Sequence, residues 1–244
     1  MSNVLILPPT PIASIAASRG AGAGNLLTAD PKEAWFDSVD GSAALFDIQF
    51  AAVQPVDTIL LGYVEPAAEN ASWKIEGGVA GFTEMVLQPA TPMGASHAFW
   101  HGAQRSVSKL RITVSQPAGA GPLSAGVFLA GAAFVAGHGK EWGSGRRVID
   151  TGSVTPLVGG GFAAVEGARK RYYGWTFGDL TPAEVERLDA IALDRGETRP
   201  VLVVEDYRAP LPSQIHYGLF ERWRQFDRRN PVQTKWELGI EEWV

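Results

Sequence analysis

Ala44-Leu-Phe-Asp-Ile-Gln-Phe50 sets Phe46, Ile48 and Phe50 on one side of an extended chain and Asp47 and Gln49 on the other, the period of two of a half-buried strand. The same signal repeats on either side. Val56-Asp-Thr-Ile-Leu-Leu-Gly-Tyr63 reads as a more deeply buried strand after a turn at Gln54-Pro55. Ser72-Trp-Lys-Ile-Glu76 alternates again, and Ser108-Lys-Leu-Arg-Ile-Thr-Val-Ser115 turns Leu110, Ile112 and Val114 inward. Short strands at this spacing predict a β-sandwich. Pro122–Gly137, the least polar stretch, is interrupted by Gly126 and Gly131. It falls short of the ~20 apolar residues of a spanning helix, so it reads as a buried strand and no membrane insertion is expected. Met1–Thr10 lacks a basic leader followed by a long apolar run, and Pro8 and Pro9 exclude a helix there, which predicts a strand and a turn rather than a secretory signal.

Composition supports many turns between short strands: of 244 residues, 28 are Gly, 16 Pro and 8 Trp, with 45% hydrophobic and 19% charged. The 26 acidic residues outnumber the 21 basic ones, so the electropositive footprint that nucleic-acid binding requires is missing and no sequence-specific nucleic acid is expected as a partner. The absence of cysteine excludes disulfides, a thiolate nucleophile and cysteine-ligated zinc or iron–sulfur sites. Charge is unevenly placed. Residues 1–135 carry 6 basic and 10 acidic side chains, and residues 136–244 carry 15 and 16. Two domains are therefore expected, 1–136 and 146–244, joined by a linker at Gly137–Gly145 that holds four glycines.

The second part begins with Ala168–Phe177, a strand with a basic end. Thr181-Pro-Ala-Glu184 is a capping box with proline in the first turn, which opens a helix over 181–195. Val185, Leu188 and Ile191 form its apolar stripe, and Gly196 closes it. Pro200–Glu205, Gln214–Trp223 and Val232–Trp243 read as strands, the last alternating along its length.

Asn25-Leu-Leu-Thr-Ala-Asp-Pro-Lys-Glu-Ala-Trp35, the strand at Phe46–Ile48, Pro55–Leu61, Trp73-Lys-Ile75 and Leu110–Val114 together resemble the discoidin-like, galactose-binding-like jelly roll over roughly residues 15–135. The resemblance implies ligand loops at one end of the sandwich, for glycan, lipid or protein. Arg169–Trp175, the helix from Leu180, Pro200–Val204, Tyr217–Phe220 and Trp236-Glu-Leu-Gly-Ile-Glu-Glu242 look like the tail-tip proteins, distal-tail and minor-tail, of long-tailed bacteriophages, over about residues 145–244. This second resemblance implies a tail-tube-like β-sandwich or barrel with one flanking helix. It also implies a virion component assembled in the host cytoplasm, a ring of identical subunits with a hexamer favoured over a trimer, and tail-tube and tail-hub proteins as neighbours.

Catalytic chemistry is sparse in the sequence. His97-Ala-Phe-Trp-His101 has the i, i+4 spacing of a helical zinc site but lacks the glutamate and lies between Gly94 and Gly102, so no metal is expected. Gly20–Gly24 and Gly159–Gly161 have no following Lys-Ser/Thr and read as loops, not phosphate cradles, and no cofactor is expected. The pairs Glu205-Asp206 and Glu241-Glu242 read as solvated strand ends, since neighbours on a strand point to opposite faces. The protein is expected not to be an enzyme. Trp35 and Trp73 read as core, and Trp100 as a loop residue able to stack on a host-surface glycan. In the second part, aromatic residues interleave with Arg169, Lys170, Arg171, Arg222, Arg224, Arg228 and Arg229. Arg169, Arg171, Tyr172, Trp175, Trp223, Arg228 and Trp243 are the candidate subunit contacts, because arginine and aromatic side chains dominate interfaces.

Overall fold

The computed structural model describes residues 3–39, 43–65, 71–93, 96–221, 223, 225–230 and 233–243. The protein is mainly β, with several sheets and a single α-helix among the described residues. It divides into two compact units, one formed by residues 5–134 and 204–215, the other by 1–4, 135–203 and 216–244.

The first, the sandwich unit, holds β1 (Leu5–Leu7), β2 (Ile12–Ala17), β3 (Trp35–Phe36), β4 (Ala44–Gly62), β5 (Ser72–Gly78), β6 (Met85–Pro92), β7 (Ala98–Ser115), β8 (Ser124–Ala125) and β9 (Val127–Gly131). β10 (Phe134–Val135) straddles the boundary. The main sheet runs β2-β4-β7-β5-β6, with β9 also on β4, and β3 pairs with β8. The long strands β4 and β7 carry the architecture. Ala44–Gln49 of β4 faces the far half of β7, while Thr58–Leu61 faces its near half. β2 joins the first half of β4 and β9 the second, so one strand serves two neighbours in succession. The turn expected at Gln54-Pro55 is instead a bulge. Register slips between Gln49 and Gln54, which accommodates a proline that has no N–H to give the ladder and lets the strand bend. One apolar cluster fills the unit, with Trp35 edge-on to Phe46 at 4.7 Å and Trp73, Ile75, Ile112, Val114 and Phe128 around them. Trp35 and Trp73 are core, and the indole N–H of Trp35 donates to the Arg19 carbonyl.

The second, helix-bearing unit contains β11 (Gly145–Asp150), β12 (Ser153–Pro156), β13 (Phe162–Val165), β14 (Arg169–Leu180), α1 (Pro182–Arg195), β15 (Val201–Val204), β16 (Ile215–Phe220), β17 (Asp227–Asn230) and β18 (Gln233–Glu242). Its sheet runs β15-β16-β18-β14-β11 with β17 on the free part of β18, while β12 and β13 form a separate two-stranded hairpin. Tyr173, Trp175 and Phe177 of β14 stand opposite Ile240, Leu238 and Trp236 of β18, and all six are buried. Helix α1 starts as its capping box predicts: the Thr181 hydroxyl accepts from the Glu184 N–H, and Glu184 Oε2 accepts from the Thr181 N–H at 2.8 Å. It ends at Gly196, whose φ of 54° favours glycine and whose N–H reaches the Ala192 carbonyl at 2.8 Å. Val232, the expected start of the last strand, lies outside the described residues.

The glycine-rich stretch expected as a linker is tied down. Gly137 N–H donates to Glu184 Oε1 at 2.6 Å, Lys140 Nζ to the Tyr173 hydroxyl at 2.7 Å and Glu141 N–H to the Thr176 carbonyl at 2.8 Å, and Gly145 already belongs to β11. The chain also departs from a linear two-domain order, since residues 204–215 return to the sandwich unit. Neither the tethers nor the return is visible as a local pattern.

Candidate functional site

The sandwich unit contains a cleft of about 190 Å³. Its walls come from two distant segments. β5 supplies Trp73, β6 supplies Gln88 and Thr91, Met93 follows β6, and His97 and Phe99 lie at the start of β7. Pro210, Pro212 and Ile215, from the returning segment, close the remaining side. Among the described residues, no Asp, Glu, Lys or Arg lines it.

Backbone geometry fixes the polar rim. Tyr63 follows β4 with φ of 55°, the left-handed region that non-glycine residues seldom occupy. Its N–H donates to His97 Nδ1 at 3.2 Å, and the two rings meet edge-on at 4.9 Å. With Nδ1 accepting, the neutral imidazole carries its proton on Nε2 and is a donor there. Four residues on, His101 has a different setting: Nδ1 lies 2.8 Å from Thr58 Oγ1, and the ring is edge-on to Tyr207 at 4.6 Å. Burial pushes the His101 pKa down, more than the charge of Asp57 and a hydrogen bond to it push it up. No group of three metal-ligating side chains occurs among the described residues.

Trp100, expected in a loop, lies within β7 opposite Ile59. It is half-buried against the core, its ring so close over Gly102 that a Cβ there would meet it at 2.6 Å. The alternation of the strand accounts for this: Phe99 and His97 line the cleft, and Trp100 does not. Gly94, the other expected flank, lies outside the described residues. Gln88 had no sequence signal, because an isolated glutamine on a half-polar strand looks like a solvent-facing residue.

The helix-bearing unit has a second, larger cavity, of about 450 Å³, where Glu197, Glu221, Glu241 and Glu242 converge beside Lys170 and Trp243. Both residues of the acidic pair at 241–242 line this cavity and are part-buried rather than fully solvated. Glu241 pairs with Lys170, Glu221 lies 3.4 Å from Arg147, and Glu242 lies within hydrogen-bond distance, 2.8 Å, of His216. Burial raises the Glu242 pKa, but the hydrogen bond and charge of His216, followed by the Arg171 N–H and charge, outweigh it and hold the carboxyl below its ordinary value. His216 is fully buried and stacks on Tyr173, which stacks in turn on Trp175.

The candidate subunit contacts separate into three groups. Trp175 is 2% exposed within that stack and offers no surface to a partner, because β14 turns it to the face that packs inward. Tyr172, Trp223 and Trp243 are half-buried: Tyr172 lies under the Arg147 guanidinium at 4.2 Å, and the Trp223 indole donates to the Gly196 carbonyl at 3.0 Å. Arg169, Arg171 and Arg228 are exposed, with Arg169 on Asp150 at 3.1 Å. Arg222 and Arg224 lie outside the described residues. An exposed apolar feature of this unit went unrecognised in the sequence. On the β12–β13 hairpin, Val154, Leu157, Val158, Phe162 and Val165 are all between 52% and 110% exposed. Its signal was two short β-rich runs flanking Gly159–Gly161, where only a loop had been expected.

No family model matches the chain, and no curated protein matches it in sequence. Among solved structures it is similar over about half its length to carbohydrate-binding modules. One is chitosan-binding module 1 of a chitosanase/glucanase from Paenibacillus sp. IK-5, with a TM-score of 0.41, 16% identity, and 49% of this chain and 94% of that one covered. Another is the CBM32 of AlyQ, with a TM-score of 0.42, 15% identity and coverages of 51% and 98%. The GH29 fucosidase of Ruminococcus gnavus gives a TM-score of 0.40 at 11% identity, with 48% of this chain covered. The chain spans about a quarter of the fucosidase, 24% of its length.

Proposed function

We propose that the protein is a non-enzymatic recognition protein whose sandwich unit binds carbohydrate. The observation that carries this reading is the cleft between β5, β6, the start of β7 and the returning segment, where the half-buried Phe99 ring and apolar neighbours meet a few neutral polar groups. Sugars present the complementary surface, since C–H faces stack on aromatic rings while hydroxyls exchange hydrogen bonds at the rim. The acidic cavity of the other unit is a poor hydrolase site. Glycoside cleavage needs a carboxylic acid whose pKa is raised so that it can donate a proton, and Glu242 is held in the opposite direction. A glycan array probed with the whole chain tests the reading. Reproducible binding to a set of related glycans is expected, and an array without hits overturns it.

A second reading rests on a separate observation, the exposed apolar β12–β13 hairpin. In it the chain is a ring-forming component of a bacteriophage tail tip whose hairpin docks on the next copy, with the sandwich unit mounted as the glycan-recognising part. The two readings are compatible.

A further inference from the structure

At the tip of the β12–β13 hairpin, Leu157 N–H donates to the Gly161 carbonyl at 2.8 Å and Gly160 N–H to the Leu157 carbonyl at 3.0 Å. These two bonds fix the phase of the ladder. Hydrogen-bonded positions alternate back from the tip, at 155 with 163 and at 153 with 165. The backbone groups of Val154, Pro156, Phe162 and Ala164 therefore point outward, away from the partner strand. Pro156 has no N–H to offer, which blunts the β12 edge. The β13 edge, with Phe162 and Ala164, is left whole, and no third strand pairs with it among the described residues.

The same phase argument finds an acceptor edge in the sheet. β11 stands at the end of the strand order, and Thr151 N–H donates to the Ala168 carbonyl at 3.0 Å, so 149 with 170 and 147 with 172 are the hydrogen-bonded positions. Arg146, Val148 and Asp150 turn their backbone groups to the open side. We infer that the β13 edge of one copy of the chain adds as an antiparallel strand to the β11 edge of a second copy, with Ala164 opposite Val148. This rests on the ring reading above and names its contact.

Charge and area both select this occupant. In the antiparallel register Glu166 falls opposite Arg146, whereas parallel addition would set it opposite Asp150, a like-charge pair. Residues 151–165 carry no charge, and 153–165 are exposed on both faces of the hairpin. Such a segment can bury on the order of 800 Å², the share that one partner contributes to a standard interface. Donor and acceptor edges differ, so the contact is head-to-tail, the kind from which rings close.

The test is light scattering of the whole chain with proline as the probe of each edge. Ala164→Pro and Val148→Pro each remove one outward N–H and leave the hydrogen-bonded positions within the chain untouched. Both are expected to shift the assembled mass to that of the 26.1 kDa protomer. Val154→Pro, directly opposite Ala164 on the blunted edge, is expected to assemble as the parent does. Glu166→Arg is expected to weaken assembly severalfold, and Arg146→Glu added to it to restore assembly, a rescue that involves no proline. Assembly that survives Ala164→Pro, or that Val154→Pro abolishes equally, overturns the inference and leaves docking through the hairpin side chains standing. Loss through Val148→Pro alone assigns the contact to β11 on β11 and overturns it as well. A parent that is monomeric at its highest soluble concentration removes the ring reading and this inference together.

Discussion

Thr181 and Glu184 show how much a single pair of side chains organises. Glu184 accepts from the Thr181 N–H and hydroxyl with one oxygen and from the Gly137 N–H with the other, joining the start of α1 to the glycine-rich stretch 47 residues earlier. Burial raises the Glu184 pKa, but the Gly137 and Thr181 hydrogen bonds and the charge of His138 overcome it and leave the carboxyl below its usual 4.5. Thr181→Ala is expected to lower stability by about 1 kcal/mol, read as a reduced denaturant midpoint at unchanged slope. Because the folded pKa is depressed, the contribution of Glu184 is complete above 4.5 and is lost as pH falls through the folded value. Glu184→Gln should therefore flatten the acid limb of the stability profile; an unchanged limb excludes the tether as its source. The cap was legible in Thr181-Pro-Ala-Glu184 because its partners lie within one turn of helix. The Gly137 contact was not, because nothing near Gly137 in sequence signals an acceptor that distant. Gln88 was hidden for a related reason: it shares a cleft with Pro210 and Pro212, more than a hundred residues away.

At the scale of elements, alternation in Phe46–Phe50 and Leu110–Val114 was a sound guide because one face of each strand meets the same core. It was silent on β2, whose Ile-Ala-Ser-Ile-Ala-Ala run is half-exposed and poor in strand formers, and misleading at Pro55, where tertiary pairing carried β4 through a residue that usually ends a strand. The returning segment 204–215 is the least legible element and has a pH-dependent anchor. Tyr207 sits against His101, whose pKa is depressed chiefly by burial from its ordinary 6.5. The imidazole is favoured neutral in the folded state, so its contribution is present above 6.5 and is lost as pH falls through the folded value, when the unfolded chain binds the proton more tightly. Hydrogen exchange of the amides of 204–215 should accelerate on acidification from neutral pH, relative to those of β7, after correction for the intrinsic rate. His101→Gln should remove that dependence, and its persistence in the variant would assign the effect elsewhere.

For the molecule as a whole, the β12–β13 hairpin is the feature on which the proposed ring assembly rests. It is paired only with itself in a two-stranded sheet, and its turn is closed by Leu157 N–H to the Gly161 carbonyl at 2.8 Å. A two-stranded hairpin alone is marginal in water, and both its open edges and its apolar side chains invite another surface. A second copy of the chain is the occupant that the ring reading requires, since each hairpin then finds the same acceptor face on the next subunit and closure leaves none exposed. Light scattering of the whole chain should give a mass several times that of the 26.1 kDa protomer. Phe162→Asp and Val158→Asp, at positions 70% and 110% exposed, place charges on largely solvent-facing sites. Each is expected to return the protein to the protomer mass with an unchanged unfolding temperature of the monomer and unchanged glycan binding. A parent that is monomeric at its highest soluble concentration, or aspartate variants that assemble as the parent does, would exclude the hairpin as the subunit contact.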